Sequence, residues 1–126
     1  MRKSVYIARA WEDRHHARAI WSWAFLGLLG DMTISGESED LRTEFDLALA
    51  THLSLHLRRA AAVLLLVGGE VASRQVLDFE INYALTNRKA VVAMRIPGTT
   101  GGVPPLLLGT QELPFDAGAL RRWLGT

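Results

Sequence analysis

The 126-residue sequence contains no cysteine. That excludes disulfides, zinc–thiolate centres and a thiol nucleophile, and it fits a reducing, cytoplasmic setting. An excess of one charge is also missing, with 14 Lys and Arg against 13 Asp and Glu and a net charge of +1. No field of the whole protein therefore draws it onto nucleic acid or an acidic membrane. The apolar run at residues 60–67 is far short of the roughly 18 residues that a membrane helix needs. Met1-Arg2-Lys3-Ser4 leads into a strand-like segment without the apolar core of a signal peptide. Neither a Gly-x-x-x-x-Gly-Lys-Ser/Thr loop nor a Gly-x-Gly-x-x-Gly fingerprint occurs, and Gly68-Gly69-Glu70 matches neither. No internal repeat or low-complexity tract is present, and the one loop rich in Gly and Pro spans 97–105. What remains is one domain, 1–126, with 49% apolar residues. That length buries roughly two-thirds of the unfolded surface.

The run at 60–67 organises the chain. Ended by Gly68-Gly69, it reads as a strand buried on both faces, the kind found in parallel sheets covered by helices on both sides. Ser73 is placed to cap a helix in which Val76, Leu77, Ile81, Ala84 and Leu85 fall at helical spacing. That helix ends near Thr86-Asn87-Arg88, and 89–96 is the next strand, completing a right-handed crossover. Earlier, 4–8 reads as the first strand and 9–13 as a polar loop. Residues 14–29 read as a helix with Ala17, Ile20, Trp21, Ala24, Phe25 and Leu28 on one face and Gly30 as its stop. Residues 31–35 read as a second strand. An acidic loop, 36–40, leads to a helix over 41–59 whose terminal charges match its dipole. Its expected buried stripe is Leu41, Phe45, Ala48, Leu49, His52 and Leu55. Leu106-Leu107-Leu108 reads as a short edge element, and Asp116 as the cap of a final helix holding Leu120 and Trp123. The alternation predicts an α/β, flavodoxin-like three-layer sandwich around a four- or five-stranded parallel sheet.

In such a sheet, ligands bind in the crevice beyond the carboxyl ends of the strands. Glu80 falls in the first half of the crossover helix, which starts at that edge. A helical glutamate is ordinarily a solvated surface residue. Here Val76 and Leu77 lie one turn before it, and Phe79 and Ile81 flank it, so the reading is a partly desolvated carboxylate; Asp78 reads as solvated. The loop after the first strand brings Arg9, Ala10 and Trp11 to the same edge. Arg9 suits a diphosphate and Trp11 a base, against the plainer reading of a solvated loop with Trp11 packed on the surface. Ser35, Gly36 and Ser38 fall in the loop after the second strand, within reach of ribose or phosphate. His15 and His16 point apart, and His52 and His56 share a helix face but lack a nearby acidic ligand, so no metal site is expected. Trp21 and Trp23 cannot share a face. Trp21 reads as core and Trp23 as exposed, marking a contact with another subunit.

Val5-Tyr6-Ile7-Ala8 followed by Trp11-Glu12-Asp13 resembles the opening of TIR-like domains. More specific are the apolar strand ending at Gly68-Gly69, Ser73, then Phe79-Glu80-Ile81 with Ala84, and Lys89 introducing the next strand. This pattern resembles the bacterial TIR-like family that includes the Thoeris antiphage-defence proteins. The resemblance implies a TIR-like fold and an NAD glycosidase or ADP-ribosyl cyclase producing a nucleotide signal. Glu80 would be the catalytic carboxylate, with Arg9, Ala10, Trp11, Ser35, Ser38, Gly68 and Val76 around the substrate. NAD would be a substrate, with no resident cofactor. Self-association and a separate effector protein that senses the product are implied too, without nucleic acid or membrane as partners. TIR enzymes usually carry tryptophan four residues before the catalytic glutamate, where this chain has Val76. The segment Glu80-Ile81-Asn82-Tyr83-Ala84-Leu85 also resembles nucleoside deoxyribosyltransferases, which likewise act on a bond between a ribosyl carbon and a base nitrogen. The competing readings are that second enzyme class and a non-catalytic TIR-like binding module.

Overall fold

The computed structural model describes residues 3–36, 47–69, 75–103, 107 and 109–125. Ser38, Leu41, Phe45, Ser73, Leu106, Leu108 and the side chain of Trp11 lie outside that description. In chain order the elements are β1 (Lys3–Ala8), a 3-10 turn (Trp11–Asp13), α1 (Arg14–Phe25), β2 (Met32–Gly36) and α2 (Leu47–Arg59). They continue with β3 (Ala62–Val67), α3 (Gln75–Thr86), β4 (Ala90–Arg95), β5 (Glu112–Leu113) and α4 (Ala117–Leu124). All five strands are parallel, in the order β2-β1-β3-β4-β5.

β3 lies at the centre of the sheet, and its six residues are all buried, as its unbroken apolar run requires. Alternate side chains feed two cores. Leu64 and Leu66 join Ile20 of α1 and Leu120 of α4 on one face. Val63, Leu65 and Val67 join Leu53 and Leu57 of α2 and Leu77 and Ile81 of α3 on the other. Lys89 ties the layers together at the amino edge. Its ammonium donates to the carbonyls of Ala60 (2.6 Å) and Arg58 (3.2 Å), satisfying acceptors at the end of α2.

Several local expectations are corrected. α1 stops at Phe25, because Gly27 takes a left-handed conformation (φ 76°). There the Leu28 and Gly27 amides donate to the Trp23 and Ala24 carbonyls in a Schellman cap. Gly30 is therefore not the stop, and Phe25 is left 90% exposed. The tryptophans are exchanged relative to expectation. Trp21 is 46% exposed, whereas Trp23 packs on the core with its ring 4.9 Å from that of Phe115. Trp23 shares the inward face because it lies three residues from buried Ile20. On α2 the buried stripe is Leu53 and Leu57 with Leu49 partly covered, while Ala48, His52 and Leu55 face outward. β2 extends through Gly36, so Ser35 and Gly36 belong to the strand and not to the loop after it. The described edge strand is Glu112–Leu113; of the expected element at 106–108 only Leu107 is described, and it is buried beneath the α3 face. Asp116 does cap the last helix, accepting from the Ala119 amide at 2.9 Å. Among the described residues, no helix is long and apolar enough to cross a membrane.

Candidate functional site

The chain order decides where a crevice opens. From β1 the chain leaves toward the face carrying α1, and from the neighbouring β3 it leaves toward the face carrying α3. Loops that diverge from adjacent strands create a topological switch point at their carboxyl ends, where ligands bind in sheets of this order.

Glu80 is held next to this edge by α3. Leu77, Ile81 and Ala84 form the helix's buried face, and position 80, three after Leu77 and four before Ala84, falls on it. Its side chain is 3% exposed, and among the described residues it is the one charged side chain that is buried. Asp78, on the same turn, is exposed. α3 packs against β1, β3 and β4, so Glu80 lies under the central strands. Val76, half-buried, begins the same face one turn earlier.

The loop after β1 forms the opposing side. Ala10 is buried, and its carbonyl accepts from the Asp13 amide at 3.0 Å, which folds the 3-10 turn. Arg9 is half-buried beside it. Gly68, directly after β3, lies against this turn: a Cβ there would come within 3.0 Å of the Asp13 carboxylate. The structure thus brings Arg9, Ala10 and Gly68 to one edge. Ser35 lies one strand away, with its hydroxyl 3.5 Å from the Val5 carbonyl inside the sheet. His52 and His56 meet edge to face, 4.9 Å apart, on the outer side of α2. No group of three metal-ligating side chains occurs among the described residues.

The far wall is the segment after β4, which sequence reasoning left as a featureless loop. Ile96 donates its amide to the Val67 carbonyl at 2.9 Å. Thr99 Oγ1 lies within hydrogen-bond distance of the Ile96 (2.6 Å) and Val67 (3.3 Å) carbonyls. Arg95 Nη1 donates to the Gly101 carbonyl at 2.6 Å, while Nε and Nη2 grip Glu112 at 2.9 and 3.2 Å. Gly101 lies so close to Gly68 and Gly69 that a Cβ would overlap their carbonyls. Backbone cannot rotate away as a side chain can. Gly101→Ala is therefore expected to cost about 1–3 kcal/mol and to lift this wall, measured by urea denaturation and by faster proteolysis within 97–103.

The Arg95–Glu112 pair also predicts a pH dependence. The hydrogen bond and then the charge of Arg95 hold the Glu112 carboxyl below its ordinary value of 4.5. A lowered folded-state value means the stabilisation is full above the ordinary value and is lost as pH falls through the lowered one. Glu112 is 40% exposed, so the pair is worth only about 0.2–1 kcal/mol. Glu112→Gln should show that deficit in urea midpoints at about pH 7, and the deficit should shrink as pH falls below the ordinary carboxylate value and through the lowered one.

Comparison with known proteins agrees with this architecture. The family model for the TIR-like domain of the Thoeris protein ThsB matches residues 30–101. The fold is similar to the crystal structure of the TIR domain of the Toll-related receptor TRR-2 from Hydra magnipapillata. The TM-score is 0.61 at 15% identity, covering 87% of this chain and 82% of that one. No curated protein matches the sequence. The family match spans more than half the chain, including β2, β3, the helix that holds Glu80 and β4, and the chain belongs to the Thoeris ThsB TIR-like domain family.

Proposed function

We propose that this domain cleaves the bond between the nicotinamide nitrogen and the ribosyl carbon of NAD, producing a nucleotide signal in antiphage defence. The observation that carries the reading is the burial of Glu80 at the carboxyl side of the sheet. An ionised carboxylate loses solvation when buried, and such groups cluster where a site uses them. As the carbon–nitrogen bond breaks, its electron pair leaves with nicotinamide and positive charge spreads over the ribosyl ring. A carboxylate fixed beneath that ring stabilises the charge without reorganising. Capture of the ribosyl carbon by water, with release of a proton, gives a linear product. Capture by a nitrogen of the same nucleotide gives a cyclic one. Arg9 supplies a cation for the diphosphate, Trp11 a ring for a base, and Ala10, Ser35, Ser38, Gly68 and Val76 the walls. The domain would act as a self-associating unit and hand its product to a separate effector protein.

The test is mass spectrometry of NAD incubated with wild type and with Glu80→Gln. Nicotinamide release by wild type alone supports the reading. Intact NAD, at high protein concentration and with the activator present, would point to a non-catalytic module. Base exchange on deoxynucleosides in a parallel incubation would point to a deoxyribosyltransferase instead.

A further inference from the structure

Asp13 closes the 3-10 turn that runs into α1, and its backbone (φ −97°, ψ 13°) continues the turn rather than taking the extended form of a capping aspartate. Its side chain makes no capping hydrogen bond and lies over Gly68. A Cβ built on Gly68 would meet Oδ2, Oδ1 and Cγ of Asp13 at 2.5, 2.7 and 2.8 Å, so the carboxylate lies flat across the backbone at the end of β3. Asp116, by contrast, caps α4 from an extended backbone (φ −153°, ψ 131°). Asp13 sits between the diverging β1 and β3 connections, and only glycine at 68 leaves it this room.

We infer that Asp13 is a specificity-determining residue that receives the hydroxyls of the ribose attached to the bond under attack. The inference rests on the N-glycosidic reading of the site. A carboxylate is an acceptor with two oxygens, so it repels a diphosphate and matches a pair of neighbouring hydroxyl donors. A ribose offers such a pair, and its reacting carbon must lie near Glu80, on the helix packed against β1 and β3. The nucleotide then lies with its sugar inward between the two carboxylates and its diphosphate outward toward Arg9.

The experiment measures equilibrium binding of ADP-ribose and of ADP, which lacks the terminal ribose, and needs no turnover. Wild type should favour ADP-ribose. Asp13→Ala should reduce that preference by about 10- to 100-fold, with ADP binding unchanged or tighter, and Asp13→Asn should fall between. Gly68→Ala, which pushes the carboxylate aside but keeps its charge, should lower the same ratio. Adding it to Asp13→Ala should change the ratio little further. Loss of stability alone cannot move the ratio, because both ligands report on the same folded protein. If wild type releases nicotinamide from NAD while Asp13→Ala keeps the wild-type ratio, the inference falls and the role of Glu80 stands. If wild type leaves NAD intact and binds neither ligand, both fall together.

Discussion

Glu80→Gln is expected to lower nicotinamide release from NAD by roughly 10²- to 10⁴-fold. Glutamine preserves the shape of the side chain, but it turns one acceptor oxygen into an NH2 donor and removes a negative charge from a site only 3% exposed. Thermal melts beside product mass spectrometry establish that the variant is folded at the assay temperature. A folded variant that still cleaves NAD at the wild-type rate would remove Glu80 from the chemistry.

Leu65→Ala should destabilise the domain by about 3–5 kcal/mol, the upper part of the range for truncating a buried leucine. Leu65 is fully buried on the central strand, and its register partners are Ala8 on β1 and Ala93 on β4. The substitution would leave three alanines side by side beneath α2 and α3, so neither sheet neighbour could fill the space. Against the ordinary 5–15 kcal/mol of a small domain this is a large fraction, and the melting temperature should drop by roughly 10–20 °C. Leu55→Ala is the control. Leu55 is 51% exposed, so the loss there should stay within about 0.5 kcal/mol. Equal losses at both positions would mean that the α2 face is assigned wrongly.

That control marks the boundary between what was legible and what was not. On α2, leucines recur at 47, 49, 53, 55 and 57, so two different stripes satisfy helical spacing. Only packing against β3 and α3 selects Leu53 and Leu57. Glu80 is the contrasting case. Its apolar neighbours Val76, Leu77, Phe79 and Ile81 point to a partly desolvated carboxylate, and the packing of α3 on the sheet makes it a buried one. Asp13 carried no comparable signal. Residues 9–13 read only as a polar loop, and the place of Asp13 over Gly68 depends on two loops about 55 residues apart in sequence being neighbours in the sheet.

The sequence alone determined the strand–helix alternation, the central strand buried on both faces and the cap at Asp116. Each follows from periodicity or from the chemistry of a few consecutive residues. Tertiary structure decided the exchange of Trp21 and Trp23, the burial of Glu80, the Arg95–Glu112 grip on the 97–103 segment and the place of Asp13 over Gly68. These depend on which elements become neighbours, and local spacing carries no information about a partner that arrives from elsewhere in the chain.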